Sequence, residues 1–180
     1  MIKKLKDSFY QIEKNSCLEI LKDKEFEIYD CPELDDSCTK GRCYIRTSGQ
    51  FKVINSNGKE INFLAVDKCI FFDDDRFKKC DCIIFDNNFF CFIEIKEFNT
   101  MKKVGKRRRE KREASLNQVK STIKKFKEKY EIDIELEAYI CIKKGTEGIP
   151  STQASTSDRK LEFEEELRTK LFDGCQKEFI

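Results

Sequence analysis

The sequence contains no histidine. That absence removes Ser-His-Asp and Cys-His catalysis, His-ligated zinc hydrolysis, and every nuclease mechanism whose general base is an imidazole. An enzyme built from this chain must use carboxylates, Lys, Cys or Tyr. Net charge is nearly absent as well, +2 from 36 Lys and Arg against 34 Asp and Glu. Attraction to a polyanion must therefore come from local clustering of charge. No stretch approaches the roughly 18 apolar residues of a transmembrane helix, so no membrane partner is expected. The opening MIKKLKDSFYQIEKN has no apolar core of a signal peptide. Ten Cys without a secretion signal read as free thiols in a reducing cytoplasm.

What is present suits one domain spanning 1–180. Apolar residues reach 39%, with 16 Phe, enough for a sizeable core. Charged residues also reach 39%, against about 25% in ordinary soluble domains, so the surface is densely ionic.

Apolar spacing predicts an amphipathic helix over 2–22, with Ile2, Leu5, Phe9, Ile12, Ser16, Cys17 and Ile20 on one face. Residues 31–49, with Pro32, Gly41 and Gly49, read as an irregular loop. Gln50 to Ile54 and Glu60 to Val66 form an expected hairpin around Ser56-Asn57-Gly58. A second hairpin pairs CDCIIFD with FFCFIEIK about Asn87-Asn88, a type I′ turn because Asn tolerates positive φ. A basic run leads into a helix over about 108–130, whose seam is Leu116, Val119, Ile123, Phe126 and Tyr130. Leu136 to Lys143 reads as a strand, 145–157 as a loop, and 158–172 as a helix with Phe163, Leu167 and Leu171 inward. The fold class expected is α/β, a mixed central β-sheet flanked by helices in the order α-β-β-β-α-β-α.

With Asn87 and Asn88 as the loop, the ladder pairs Asp86 with Phe89, Ile84 with Cys91, Ile83 with Phe92 and Asp81 with Glu94. Opposed Cβ atoms lie about 4.5–5.5 Å apart, so two carboxylates could grip one hard divalent cation. Period two puts Lys96 on the face of Glu94. A bound Mg²⁺ (or Mn²⁺) would keep both acids ionised, polarise a phosphodiester and activate water. Lys96 could orient that water or stabilise the charge growing on the phosphorane. A surface salt-bridge set is the bland alternative. Apolar residues on both faces of the strand pair argue against it.

The run from Asp81 through the hairpin to Glu94-Ile95-Lys96 resembles the PD-(D/E)XK nuclease superfamily over roughly residues 60–130, with Cys80 where the named Pro would sit. The resemblance implies a restriction-endonuclease-like core and a metal-dependent nuclease, DNA more than RNA, in a prokaryotic defence or DNA-processing system. Asp81 and Glu94 would be metal ligands, the Ile95 carbonyl a further ligand, and Lys96 the catalytic lysine. A small nuclease of this kind implies a partner subunit or homo-oligomer for targeting. A catalytically inactive nucleic-acid-binding or scaffold subunit of the same fold is the alternative, and a protein-binding accessory module a third.

The superfamily often adds an acid from its first helix and a Gln from the helix after the Lys strand. Glu13, on the apolar face between Phe9 and Cys17, fits the first role or reaches sideways to a Lys. Glu19, at the edge of that face, is the weaker choice. Gln118, in a polar stripe with Ser115 and Thr122, fits the second or lies on a solvated flank. Lys102, Lys103, Lys106, Arg107, Arg108, Arg109, Lys111 and Arg112 form a basic run suited to phosphates. Cys31, Cys38 and Cys43 lack the spacing of a zinc site and are expected to be free thiols. Asp67 is undecided, and 73–75 read as an exposed acidic turn.

Overall fold

The computed structural model describes residues 1–32, 35–73, 76–97, 104–144, 147–148 and 157–180. It is an α/β fold with two mixed sheets and a few helices. The helices are α1 (Ile2–Ser8), α2 (Gln11–Lys14), α3 (Val104–Lys129) and α4 (Ser157–Leu167). The larger sheet contains β1 (Leu18–Leu21), β5 (Ile61–Ala65), β6 (Cys82–Phe85), β7 (Phe89–Glu97), β8 (Glu135–Lys144) and β10 (Lys170–Asp173), in that spatial order. A short β9 (Glu147–Gly148) also pairs with β8. β1, β5, β6 and β7 are antiparallel neighbours, whereas β7, β8 and β10 run parallel. The smaller sheet is β11 (Gln176–Glu178), β4 (Phe51–Ile54), β2 (Glu25–Asp30) and β3 (Cys43–Arg46).

α3 is the crossover between the parallel strands β7 and β8. Leu116, Val119, Ile123, Phe126 and Tyr130 are buried, as their spacing predicts. The Phe126 ring lies 4.6 Å from Phe9, 6.1 Å from Phe71, 6.2 Å from Phe90 and 5.7 Å from Phe92. Alternation then turns Cys91 to the opposite face, where its thiol donates to Glu137 at 3.3 Å. Glu137 also accepts from Tyr139 and pairs with Lys177 of β11 at 2.7 Å. The smaller sheet thus covers the face of the larger sheet away from α3.

Several expectations need correction. Residues 2–22 do not form one helix. The chain leaves helical geometry at Phe9 (φ −134°) and again at Ser16 (φ 50°), and Leu18–Leu21 is a strand. Leu5, Phe9, Ile12 and Cys17 are buried all the same. Apolar spacing locates a buried face without revealing a break in the backbone. The 31–49 segment is not all loop, because Cys43–Arg46 forms β3 against β2. Phe51–Ile54 and Ile61–Ala65 are not a hairpin, since they enter different sheets. The C-terminal helix ends at Leu167, with Arg168 in the left-handed region (φ 48°), and Leu171 is buried in β10 instead.

The cysteines are not all free thiols. Cys17–Cys69, Cys31–Cys38 and Cys141–Cys175 are joined, with Cα separations of 5.7, 6.4 and 4.5 Å, inside the range a disulfide bridges. Cys43, Cys80, Cys82 and Cys91 are free and buried. No helix among the described residues is long and apolar enough to cross a membrane.

Candidate active site

β6 and β7 pair as Cys82 with Ile93, Ile83 with Phe92, Ile84 with Cys91 and Phe85 with Phe90. That is the register expected from a loop at Asn87-Asn88. The turn itself differs. Neither Asn has positive φ, and the Asp86 carboxylate closes the reversal by accepting the Asn88 and Phe89 amides, both at 2.8 Å. An Asx cap stabilises this reversal without the left-handed residues of a type I′ turn.

The regular ladder stops one residue short of the Asp81–Glu94 pair. The Asp81 amide donates to the Ile93 carbonyl at 3.1 Å, and the Asp81 Oδ2 accepts the Ile95 amide at 2.5 Å. The carboxylate therefore occupies the rung that the preceding residue would have filled. Cys80 leaves the sheet toward α3, where its amide donates to Thr122 Oγ1 at 2.8 Å. Gln118 Nε2 donates to the Lys79 carbonyl at 3.0 Å. Gln118 and Thr122 hold the chain entering the strand, so the structure gives Gln118 a positioning contact.

Glu94 is fully buried and Asp81 is 4% exposed. Lys96 pairs its ammonium with Glu94 Oε1 while its side chain stays 28% exposed. Neither Glu94 oxygen has a hydrogen bond of acceptable geometry; the ammonium approaches Oε1 without aligning to it. Burial, then the Asp81 charge, pushes the Glu94 carboxyl well above the usual range. Burial also raises Asp81, against the opposing pull of Lys96 and the Ile95 amide. Burial by itself would lower the Lys96 ammonium, but Asp81 and Glu94 together hold it above its ordinary value. Lys96 is therefore a standing positive charge, not a proton acceptor.

Two more acids are raised by burial and by the Asp81 charge. Asp30 ends β2, and burial followed by the Asp81 charge raises its carboxyl to about 8. Its amide donates to Gln50 Oε1 at 2.8 Å and its carbonyl accepts Gln50 Nε2 at 3.3 Å. Gln50 is held in turn because Gly49 lets the chain pass tightly over β2. A Cβ at Gly49 would meet the Ile28 carbonyl oxygen at 2.4 Å. Asp67, just past β5, is raised to about 6 by burial and then by Asp81. Lys79 lies 3.9 Å from its Oδ1. Local sequence offered little sign of Asp30, because its strand was hidden next to a segment resembling a loop.

The remaining expected residues are dispersed. Glu13 is exposed and paired with Lys6 at 3.1 Å, the sideways reach to a Lys, and Glu19 is exposed on β1. In the basic run, Lys102 and Lys103 lie outside the described residues, as do the side chains of Lys106, Arg107 and Arg108. Arg109 is exposed. Lys111 Nζ donates to the Glu97 carbonyl, tying α3 to the end of β7. Arg112 is held by Asp173 through bonds of 2.8 and 2.9 Å. Cys31, Asp35 and Cys38 bring their ligand atoms within 4.8 Å, but the two sulfurs are bonded to each other. Comparisons with protein families, curated proteins and solved structures return no match.

Proposed function

We propose that this chain is a metal-dependent nuclease of the PD-(D/E)XK type, hydrolysing phosphodiester bonds of nucleic acid. The observation that carries this reading is Glu94, a fully buried carboxylate with both oxygens lacking an aligned partner, beside the buried Asp81 and the partly exposed Lys96. Asp81 and Glu94 set two buried carboxylates against the single Lys96 ammonium, which costs several kcal/mol unless a proton or a further cation joins them. Hard oxygen donors of this kind suit Mg²⁺ or Mn²⁺. Asp81, Glu94 and the Ile95 carbonyl are the proposed ligands. When bound, the cation supplies Lewis acidity toward the phosphodiester and makes water acidic.

The protein's own groups do the rest. The Ile95 amide fixes the Asp81 carboxylate, and Thr122 and Gln118 fix the chain that delivers it. Lys96, cationic and partly exposed, donates to a phosphate oxygen as negative charge accumulates there. The bond from Lys111 to the Glu97 carbonyl ties α3 to the end of the strand that carries Lys96, which supports a phosphate-binding role for the basic run. Cations there would bind the phosphates flanking the scissile bond. The antiparallel β5-β6-β7 unit followed by α3 and parallel β8 agrees with the restriction-endonuclease-like core that the resemblance implies. DNA is the favoured substrate over RNA, with targeting by a partner subunit or a homo-oligomer, in a defence or DNA-processing role.

Incubation with plasmid, single-stranded DNA and RNA, in Mg²⁺, Mn²⁺ or EDTA, tests the proposal. Cutting should require the metal, and Lys96→Ala should abolish it while binding persists. Binding without cutting in either metal would replace the nuclease with an inactive nucleic-acid-binding subunit.

A further inference from the structure

The connection from β2 to β3 carries a second donor set, apart from the acids at the end of β6 and β7. Cys31, Asp35 and Cys38 each offer one ligand atom, and the three atoms lie within 4.8 Å of one another. Two sulfurs and one carboxylate oxygen form a softer set than the all-oxygen donors around Asp81 and Glu94. The Cys31–Cys38 bond occupies both sulfurs, and only a thiolate ligates a metal.

Each donor is held by something other than that bond. The Cys31 amide donates to the Arg42 carbonyl at 3.3 Å, and its carbonyl accepts the Gly41 amide at 3.0 Å. Asp35 Oδ1 accepts the Ser37 amide at 2.9 Å and the Ser37 hydroxyl at 2.5 Å. Its Oδ2 accepts the Tyr29 hydroxyl at 2.8 Å, which leaves a lone pair on that oxygen. Just past Cys38, the Thr39 amide donates to the Tyr44 hydroxyl at 3.0 Å. Opening the disulfide leaves all of these hydrogen bonds intact. Its ring is also the shortest of the three, with a sequence separation of 7 against 34 and 52. A short ring removes the least chain entropy, so this bond constrains the fold least. Cys38 is half-buried, and a reducing thiolate can reach its sulfur.

We propose that this connection, once reduced, is a zinc site, with the Cys31 and Cys38 thiolates and the Asp35 carboxylate as ligands and water in the fourth position. A dithiol opens the bond by exchange. Two electrons and two protons pass to the cysteines, and the dithiol leaves as a disulfide. Zn²⁺ then displaces the two thiol protons to solvent. Tetrahedral Zn–S bonds of about 2.3 Å set the sulfurs about 3.8 Å apart, within reach of side chains whose Cα atoms are 6.4 Å apart. The connection is thus closed by a covalent bond when oxidised and by a cation when reduced. Cysteine spacing hides such a site, because Asp35 completes the set in place of a third Cys or a His.

Anaerobic titration with Co²⁺, a spectroscopic stand-in for Zn²⁺, tests this on the whole chain reduced with dithiothreitol and desalted. Reduced wild type should take up Co²⁺ with a near-ultraviolet thiolate-to-cobalt absorption and surrender it to Zn²⁺. Oxidised wild type should lack that band. Cys38→Ser should abolish it, and Asp35→Asn should weaken binding at least tenfold. Asp36→Asn, at an exposed acid of the same connection, should match wild type. A cation held by Asp81 and Glu94 has oxygen ligands and gives no thiolate band, so the result is independent of the nuclease reading. Reduced wild type without the band overturns the proposal. So does a band that survives in Cys38→Ser, which would move the cation to other thiols, or Asp35→Asn with wild-type affinity. Neither Cys38 nor Asp35 is fully buried, so both variants keep the core, which circular dichroism verifies.

Discussion

The Asp81 carboxylate accepts the backbone amide of Ile95, at 2.5 Å, and so fixes the main chain between Glu94 and Lys96. One side chain thereby serves two ends, as a metal ligand and as the last rung of the β6–β7 ladder. The two roles separate by substitution. Asp81→Asn keeps an oxygen for the Ile95 amide but loses the charge, so cleavage should fall at least a hundredfold with little change in stability. Asp81→Ala also strands a buried amide, which costs about 1–3 kcal/mol. Urea denaturation and initial cleavage rates of the two variants check this. Equal stability of the two would remove the backbone role.

The part of this site legible in the sequence is the part set by adjacency along the chain. Glu94 and Lys96 share a strand, and the register of β6 on β7 follows from a short reversal flanked by β-rich runs. The turn type was not legible, because Asp86, and not a left-handed Asn, closes it. Asp30 is 51 positions from Asp81 in the sequence, and only the folding of β2 over the larger sheet brings it under the Asp81 charge. Glu13 misled because an apolar stripe at helical spacing continues across the breaks at Phe9 and Ser16. The positive φ at Ser16 belongs to a residue type that gives no such signal.

Stability without metal should depend on pH in the direction set by the raised carboxyls. Asp30 and Glu94 have folded pKa values above their unfolded ones, the former about 8, against about 4 in the unfolded chain. Between those values the native state holds protons that the unfolded state has released. Their contribution is complete below about pH 4, and that of Asp30 is lost as pH rises through about 8. In EDTA the melting temperature should therefore fall between pH 5 and pH 8.5. Asp30→Asn should flatten that decline, and saturating Mg²⁺ should offset it. Scanning calorimetry in matched buffers measures both, and a melting temperature that rises over this range would contradict the buried-acid account.

Thr122 is the test of whether α3 positions the catalytic strand. Its hydroxyl oxygen accepts the buried Cys80 amide and its hydrogen goes to the Gln118 carbonyl at 2.9 Å. Thr122→Val keeps the shape and removes the acceptor, leaving the Cys80 amide unsatisfied. A loss of about 1–3 kcal/mol is expected. The cleavage rate at saturating substrate should drop about tenfold or more, with KM nearly unchanged, because Asp81 shifts while the phosphate contacts stay. Thr122→Ser, which restores the oxygen, should recover most of the rate. A KM effect without a rate effect would place Thr122 in substrate binding instead.

Within the basic run, Arg112 is already engaged. Arg112 is committed to Asp173, with both side chains less than a fifth exposed at 15% and 17%. Its loss should lower stability and leave nucleic-acid affinity little altered. Replacing Arg107, Arg108 and Arg109 by Ala removes three cations from one stretch of α3. Each phosphate neutralised contributes about 0.9 to the slope of log affinity against log salt on duplex DNA, so the triple variant should flatten that slope by about 2–3. The weakening should be similar across sequences, since backbone contacts carry no base readout. Fluorescence anisotropy over a range of salt, on Lys96→Ala protein to prevent cutting, gives both slopes. An unaltered slope in the triple variant, or a flattened one in Arg112→Ala, would move the phosphate track away from the start of α3.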